Sequence, residues 1–449
     1  NDLNEIFNNY KNFIEKKNFK LNDKCFLIKF NKLKNSRLDV SYSISKDIFN
    51  NYSTISDYCG IFGGKRIPIG HKFVEKSKFR YLKVDNIDAY GFIDNYKMPY
   101  ISEETFSIIK NFMVKNGDII ISIAGTIGKV SLINNIPDNT ILTENCAKII
   151  INDKNNLNSA YLSELLKLDI MQKYIKENQI QTTIPKLSLQ RLRNLKIPLP
   201  PLEEQESIAN IMKKAYLKKE EFEKEADKLL SSIDEYLLKE LDIKINDNKK
   251  KNTFIVKSNE LKGKRIDTFW YSLGNMFYKS KKFENKKLSD LVNIQKGETI
   301  TSNTKEDGDI PVIAGGKVPA YYNNKSNYKG NVITISASGS SGYVWWHDNP
   351  IWASDCNVLT EKSKEANIKY IYHILKFNQE NIYKLQKGSV QSHVYASDLA
   401  EIIIPTPPIE IQQKIVNEIN ERKQKALRLQ KEAKEILENA KSQVERIIF

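Results

Sequence analysis

A proline-rich stretch that closes one segment and opens a long helix occurs twice in this chain. The first copy is PLPPLEEQ at residues 198–205, and the second is PTPPIEIQ at residues 405–412. Proline fixes φ and blocks helical continuation, whereas acidic residues favour the first turn of a helix. We therefore predict one helix from about Leu202 to about Leu241 and another that runs to Phe449. Two copies of one device indicate an internal duplication.

A second pair of motifs supports the duplication. RLDVSY at residues 37–42 returns as RIDTFWY at residues 265–271. We interpret the Arg and Asp of each motif, Arg37 with Asp39 and Arg265 with Asp267, as structural pairs that fix the junction of a domain and a helix.

The segments before these motifs are also alike. An amphipathic pattern predicts a helix over residues 2–16, similar to the end of the central helix. A short strand follows each of them, Cys25–Ile28 in the first copy and Phe254–Val256 in the second.

Two globular segments, about 38–199 and 266–406, contain short β-branched and aromatic runs separated by Gly and Asn, a pattern of strands and turns. In each segment a predicted strand leads into a glycine turn. These pairs are 118–123 with 124–130, and 331–336 with 337–344. The two segments therefore share an order of predicted strands and turns but differ in amino-acid sequence.

The two long helices carry apolar residues at intervals that alternate near three and four, as in a coiled-coil seam. Each has about 40 residues and a length of about 60 Å, too long for one small domain to cover. We expect them to pack on each other in antiparallel orientation. The predicted fold is mixed α+β and α/β: two globular domains of β-sheet and helices, joined by two antiparallel coiled-coil helices in a pseudo-twofold repeat.

The predicted boundaries follow from these motifs. They are a leading helix and strand (1–33), domain 1 (34–199), the central helix (200–245), a linker (246–264), domain 2 (265–406) and the C-terminal helix (407–449).

Composition narrows the functional class. The chain has 449 residues, 40% of them hydrophobic, which is enough for real cores, and a net charge of +15 that permits a polyanionic partner. No apolar run reaches the roughly 18 residues of a membrane span. Without a CxxC pair, the cysteines Cys25, Cys59, Cys146 and Cys356 are expected to be buried and reduced. We expect a cytoplasmic protein with no membrane association.

Enzymatic motifs are missing from the sequence. The [Asn/Asp]-Pro-Pro-aromatic loop of amino-methyltransferases does not occur, because Leu199 and Thr406 precede the relevant prolines. The run from Gly125 to Lys129 is too short for a phosphate loop and continues with Val130 where Ser or Thr would meet magnesium. The four histidines show no metal-ligand spacing. We predict a binding protein without a catalytic centre, metal or cofactor of its own.

Taken together, the duplicated segments, each ending in Pro-x-Pro-Pro-[Leu/Ile]-Glu-x-Gln before a long helix, make the chain similar to the specificity subunits of type I restriction-modification systems. The resemblance covers nearly the whole sequence. It implies two target-recognition domains held apart by antiparallel helices, each reading one half of a split, asymmetric double-stranded DNA target. The half-sites would lie about one helical turn, roughly 34 Å, apart.

The resemblance also implies partners. Two adenine methyltransferase subunits that use S-adenosylmethionine would dock on the helices, and restriction endonuclease-translocase subunits that need ATP and Mg would join them. We expect the docking surface to include the residues at the two helix starts: Glu203, Glu204, Gln205, Gln412 and Gln413.

Candidate DNA contacts are residues of glycine-bent loops that mix cations with amides, hydroxyls and aromatics. In segment one they are Lys65, Arg66, Lys72, Arg80, Lys83, Thr126, Lys129, Gln181, Thr182 and Thr183. In segment two they are Lys296, Thr299, Gly315, Gly316, Lys317, Tyr321, Ser338, Ser340, Ser341, Tyr343, Trp345, Gln391, Ser392 and His393.

Two alternatives remain open. Because a helix and strand precede Arg37, the chain could be the DNA-recognition portion of a fused single-chain restriction-methylation enzyme. The second alternative is a coiled-coil scaffold that does not recognise nucleic acid. Such a scaffold would show no sequence preference for DNA.

Overall fold

The computed structural model describes residues 49, 51–179, 185–244, 277–301, 306–388 and 392–449. The predicted features upstream of residue 49 and between 245 and 276, namely the leading helix, both short strands, both Arg-x-Asp motifs and Cys25, lie outside the described residues. The chain divides into two compact units. Unit 1 is Asn1–Glu220 with Ala433–Phe449, and unit 2 is Glu221–Glu432.

Unit 1 contains short strands and four helices outside the long ones within its described residues. The strands are β1 (Ser53–Thr54), β2 (Cys59–Gly63), β3 (Phe73–Val74), β4 (Phe79–Leu82), β5 (Tyr100–Ile101), β6 (Ile119–Ser122), β7 (Val130–Leu132), β8 (Thr140–Leu142), β9 (Cys146–Ile151) and β10 (Lys196–Ile197). The helices are α1 (Glu103–Ile109), α2 (Ser159–Lys167), α3 (Asp169–Glu177), α4 (Leu189–Arg193) and the first part of α5 (Leu202–Glu240).

Two four-stranded sheets and one strand pair organise unit 1. The first sheet has the antiparallel order β2-β9-β6-β7, and the second has the order β3-β5-β4-β8, in which β4 and β8 run parallel. β1 pairs with β10 just before the first proline stop. The first sheet packs against α2 and α3 through a core that includes Ile119, Ile121, Tyr161 and Leu165.

Unit 2 repeats this plan. Its strands are β11 (Glu284–Lys287), β12 (Val292–Lys296), β13 (Ile310–Ile313), β14 (Tyr321–Asn323), β15 (Val332–Ser336), β16 (Val344–His347), β17 (Trp352–Ala353), β18 (Cys356–Glu361) and β19 (Ile403–Thr406). Its helices are α6 (Leu288–Leu291), α7 (Ile368–Phe377), α8 (Gln379–Tyr383), α9 (Ala396–Ala400) and part of α10 (Ile409–Ile448).

The antiparallel sheet of unit 2 corresponds to that of unit 1 strand by strand, whereas its second sheet has three strands instead of four. The order β12-β18-β15-β16 is antiparallel throughout, and the order β14-β13-β17 again ends in a parallel pair, β13 with β17. β11 pairs with β19 before the second proline stop. The equal order and directions of the two antiparallel sheets, and the parallel pair that ends each second sheet, are what a duplicated sequence should produce.

The predicted helices and strands that can be compared are confirmed. α5 covers Leu202–Glu240 and α10 covers Ile409–Ile448, within one or two residues of the prediction. The predicted strands before the glycine turns are β6 and β15. Within the described chain no helix combines the length and apolar character that a membrane span requires.

The long helices contact each other inside each unit. In unit 1, Ile208 and Met212 of α5 share a buried core with Leu437 and Val444 of α10. In unit 2 three polar contacts give the direction: Glu240 with Lys414 at 2.8 Å, the Ser232 carbonyl with Arg422 at 2.9 Å, and Glu225 with Lys425 at 2.8 Å. Rising numbers on one helix meet falling numbers on the other, so these segments run antiparallel.

A buried glutamine fixes the start of α5. The Gln205 side chain accepts a hydrogen bond from the Asn158 amide at 2.9 Å and donates to the carbonyls of Asn156 and Pro200, both at 2.8 Å. Asn158 is the N-cap of α2. Gln205 thus ties the helix start to the loop that opens α2.

Gln412 makes the same contacts at the start of α10. It accepts from the Asn367 amide at 2.8 Å and donates to the carbonyls of Glu365 at 2.7 Å and Pro407 at 2.8 Å. Both glutamines are fully buried. The expectation that Gln205 and Gln412 belong to a docking surface is therefore wrong, because their amides are enclosed and bonded within the chain.

The described cysteines, Cys59, Cys146 and Cys356, are buried free thiols, as predicted. Burial raises the pKa of each to about 12, so they stay protonated at neutral pH.

Candidate nucleic-acid interface

In unit 1 the loop that follows β2 is held tightly at its base. The Gly64 amide donates to the Cys146 carbonyl and the Lys65 amide to the Leu142 carbonyl, both at 2.9 Å. A Cβ on Gly64 would overlap the carbonyl oxygen of Thr143, so only glycine fits. The loop then leaves the sheet, and Lys65, Arg66 and Lys72 are exposed.

Arg66 is the most firmly oriented cation of this loop. Its Nε donates to Oε1 of Glu144 at 2.7 Å, although its side chain is 79% exposed. Partial burial pushes the pKa of Glu144 up, but hydrogen bonds from Arg66, Thr143 and Tyr81 outweigh this and leave the pKa below its usual value. The carboxylate is therefore charged at neutral pH.

The glycine turn after β6 presents an exposed tip. Gly125 and Gly128 adopt φ of +71° and +91°, a region that favours glycine. The Ser122 hydroxyl donates to the Thr126 carbonyl at 2.5 Å, and Gln172 donates to the Gly128 carbonyl at 2.8 Å. Gly125 and Thr126 are exposed, in agreement with the predicted turn.

These two loops meet a third segment. The Ile123 amide donates at 2.8 Å to the carbonyl of Asn145, which follows Glu144 in the chain. On the other side, the Leu187 amide donates to the Ile123 carbonyl at 2.9 Å and the Gly125 amide to the Pro185 carbonyl at 3.3 Å. The candidates Gln181, Thr182 and Thr183 directly precede this segment and lie outside the described residues.

Three other cations of segment one are engaged within the chain. Arg80 donates to the Met98 carbonyl at 2.8 Å and stacks 3.8 Å from the Tyr100 ring centroid. Lys129 donates to the Ile87 carbonyl at 2.7 Å, and Lys83 lies 4.0 Å from Asp85.

Unit 2 builds the same framework. The Gly297 amide donates to the Cys356 carbonyl at 2.8 Å, as Gly64 does to Cys146. Gly339 and Gly342 have φ of +61° and +88°, and Gln379 donates to the Gly342 carbonyl at 2.8 Å. After Gly297, Thr299 is exposed, and so is the preceding Lys296.

In unit 2 a further loop, at residues 315–317, lies beside the glycine turn. The Ser340 amide donates to the Gly315 carbonyl at 2.6 Å, which places Gly315, Gly316 and Lys317 beside the glycine turn. The Tyr321 hydroxyl donates to the Ile300 carbonyl at 2.6 Å and so ties this loop to the one after β12. Gly316 and Lys317 are exposed, whereas the Tyr321 hydroxyl is engaged in holding the loops together.

Two serines predicted as DNA contacts are buried instead. Ser338 donates its hydroxyl to Asp355, and Ser341 donates to the carbonyls of Ala337 at 3.0 Å and Ser392 at 2.9 Å. Both side chains are enclosed. The prediction is wrong for them because their hydroxyls shape the turn from inside.

The segment at Ser392 and His393 packs on this turn. The His393 and Lys387 backbones exchange hydrogen bonds at 2.8 and 2.9 Å, and both Ser392 and His393 are half-buried. Gln391 lies outside the described residues. Trp345 is also half-buried and has its ring 6.2 Å from Tyr343 and 5.0 Å from His347.

Two lysines beside the turn, Lys376 and Lys423, escaped the sequence-based prediction, whereas their neighbour Lys317 was predicted. Lys376 lies 4.1 Å from the Tyr343 ring centroid, and Lys317 lies 5.7 Å from the same centroid. Lys376 donates to the neutral oxygens of Val344 and Gln379, both at 3.2 Å. Burial lowers the pKa of Lys376, and the nearby cations Lys423 and Lys317 lower it further. These three lysines form the lysine cluster.

Sequence reasoning missed Lys376 and Lys423 because both lie on helices whose pattern gives only their amphipathic faces. It also missed the apolar side chain of Ile69 in the loop after β2, which is 103% exposed. An apolar residue inside a glycine-bounded basic loop was the available signal for Ile69.

The family model of the type I restriction modification DNA specificity domain matches this chain twice, at residues 50–231 and 280–439. The chain belongs to this family. The two matches coincide with the two copies of the sheet plan described above, and each ends within a long helix. The family is therefore represented here by two specificity domains in one chain.

Individual relatives agree with this assignment. A candidate type I restriction enzyme specificity subunit of Methanocaldococcus jannaschii is 25% identical over 387 residues, 80% of this chain and 83% of the relative. A candidate type I specificity subunit of Mycoplasma pneumoniae is 30% identical over 123 residues, 27% of this chain. The match spans 33% of that relative, about a third of its length.

Among solved structures, a chain from work on complex assembly and conformational transition of the type I R-M system has a TM-score of 0.55. It is 15% identical, and the match covers 89% of this chain and 96% of that one. At this identity the likeness concerns the fold alone.

Proposed function

We propose that this chain is the non-catalytic DNA-recognition subunit of a type I restriction-modification complex. The observation that carries the proposal is a repeated framework with unlike exposed side chains. Gly64 and Gly297 occupy equivalent positions in the two units, as do Gln205 and Gln412. The exposed loop residues differ, with Lys65 and Arg66 in one copy and Glu298 and Thr299 in the other.

This contrast supports a split, asymmetric target. Each domain would read one half-site. It would use the loop after β2 or β12, the glycine turn after β6 or β15, and the segment that bonds to this turn, near residue 187 in unit 1 and residue 393 in unit 2. The helices α5 and α10 would form an antiparallel coiled coil with pseudo-twofold symmetry that sets the half-site spacing, about one turn of DNA or roughly 34 Å.

The helices would also carry the partners. We place two adenine methyltransferase subunits on them, with Glu203, Glu204 and Gln413 as candidate docking residues. Restriction endonuclease-translocase subunits would join through the methyltransferases. S-adenosylmethionine, ATP and Mg would be bound by these partners, and the complex would act on cytoplasmic DNA.

Mapping methylated adenines across the genome, in cells with and without this gene, tests the proposal. One sequence motif should be methylated when the gene is present and unmodified when it is deleted. Restoring the gene should restore that motif. Identical methylation patterns in both strains would contradict the proposed function.

The lysine cluster of unit 2 gives a prediction about salt dependence. Each lysine that neutralises a phosphate contributes about 0.9 to the slope of log affinity against log salt. Lys317→Gln combined with Lys376→Gln should therefore reduce the slope for DNA binding of the assembled methyltransferase complex by roughly 1.8. Fluorescence anisotropy at several salt concentrations measures it.

Lys325→Gln is the matched control, because Lys325 is in the same unit and its amine is paired with Glu306 at 2.9 Å. It should leave the slope nearly unchanged. Equal slopes for the double variant and the wild type would show that the cluster does not face phosphates.

A further inference from the structure

We propose that Arg66 reads a guanine in the half-site bound by unit 1. This inference rests on the proposed function and deepens it, because it assigns one base contact to one residue.

The contact of Arg66 with Glu144 leaves the two terminal nitrogens of the guanidinium, Nη1 and Nη2, available to bind a ligand. Nε, on the inner side of the guanidinium, donates to Glu144 at 2.7 Å. Nη1 and Nη2 have no hydrogen-bond partner in the part of the chain that the structure describes, and the side chain is 79% exposed. An exposed pair of terminal N–H groups matches a ligand with two adjacent acceptors.

Glu144 is itself held in place. Its Oε2 accepts from the Thr143 hydroxyl at 3.0 Å and lies 3.2 Å from the Tyr81 hydroxyl. The Tyr81 hydroxyl is also 2.8 Å from the Lys65 carbonyl, in the backbone of the same loop. The carboxylate, the tyrosine and the loop backbone therefore position Arg66 before DNA arrives, which lowers the entropic cost of ordering a long side chain.

Guanine is the base that fits this fork. In the major groove it presents O6 and N7 as neighbouring acceptors, whereas adenine presents one acceptor beside a donor. Arginine donates to both guanine atoms in one plane from a rigid fork, whereas lysine contacts them with a flexible point charge. A single phosphate is the competing ligand, and it would give affinity without base preference.

Unit 2 lacks this arrangement. Counting two residues past the equivalent glycines Gly64 and Gly297 reaches Arg66 in unit 1 and Thr299 in unit 2. The position of Glu144, two residues before Cys146, is taken by Ser354 before Cys356. The guanine contact should therefore belong to one half-site only.

Methylome mapping of variants tests the assignment. The wild-type motif should contain a G·C pair at one position of one half-site, preferred by roughly 5- to 150-fold. Arg66→Gln should abolish the guanine preference at that position, Arg66→Lys should weaken it, and both should leave the other half-site unchanged. Glu144→Gln, which removes the charged anchor, should weaken the preference less.

Lys72→Gln is the matched control, because it removes one exposed positive charge from the same loop. It should weaken methylation evenly across sequences without changing the motif. In a binding assay with the assembled methyltransferase complex, replacing the guanine by 7-deazaguanine should reduce wild-type affinity and leave the affinity of Arg66→Gln unaffected.

Two results overturn the inference, and they differ. A wild-type motif that persists unchanged in Arg66→Gln, or that is only weakened evenly as in Lys72→Gln, excludes the guanine contact and leaves the proposed function intact. A wild-type chain that directs no methylation motif contradicts the proposed function, and the guanine contact with it.

Discussion

Gln412→Ala should lower the free energy of unfolding of unit 2 by roughly 3 kcal/mol, because each buried group left without a partner costs about 1–3 kcal/mol. The substitution removes the acceptor of the Asn367 amide and the donor to the carbonyls of Glu365 and Pro407. At about 2–4 °C per kcal/mol for a domain of this size, the melting temperature should fall by roughly 6–12 °C. Circular dichroism during heating measures the fall.

The neighbouring residue provides the control. Gln413 is exposed, and its contacts with Asn367 at 3.0 Å and Asn417 at 2.9 Å are open to water. Gln413→Ala should therefore change the free energy of unfolding by less than about 1 kcal/mol. Gln205→Ala should destabilise unit 1 as Gln412→Ala does unit 2. Equal melting temperatures for Gln412→Ala and Gln413→Ala would refute the role assigned to the buried glutamines.

Gly64→Ala should destabilise unit 1 by roughly 3–5 kcal/mol, the range of severe substitutions. The added Cβ would overlap the Thr143 carbonyl oxygen and stand 2.6 Å from the Leu142 oxygen, so backbone rather than a flexible side chain must move. That movement breaks the hydrogen bonds by which Gly64 and Lys65 attach the loop to the sheet. Urea unfolding measures the loss of stability, and methylome mapping should show loss of half-site discrimination in unit 1.

Gly63→Ala is the adjacent control. There the nearest heavy atom to an added Cβ is Leu189 Cδ1 at 3.4 Å, an ordinary contact. Gly63→Ala should therefore lower the free energy of unfolding by less than about 1 kcal/mol, as tolerated packing changes do. If both variants unfold at the same urea concentration, the close approach at Gly64 does not constrain the loop.

The sequence predicted the elements whose signals are local. Proline stops, acidic first turns and apolar periodicity determine where α5 and α10 begin, and the structure agrees within one or two residues. The strands before the glycine turns were predicted for the same reason, since a β-branched run followed by glycine is read over only a few positions.

The missed features depend on partners far away in the chain. Gln205 looks like an ordinary polar residue in a first helical turn, but its partner Asn156 lies 49 positions earlier. Arg66 and Glu144 are 78 positions apart, so their pairing requires the sheet order β2-β9 to be known. Ser341 is misassigned for the same reason, because the carbonyl of Ser392 that covers it comes from 51 positions downstream.

Two specificity domains in one chain should read two different half-sites. Single-molecule sequencing of methylated DNA from cells that express the chain with its methyltransferase tests this most directly. One bipartite adenine-methylation motif is expected, with two unlike half-sites separated by unread bases of constant number. A continuous motif, two identical half-sites in inverted orientation, or no motif would contradict it.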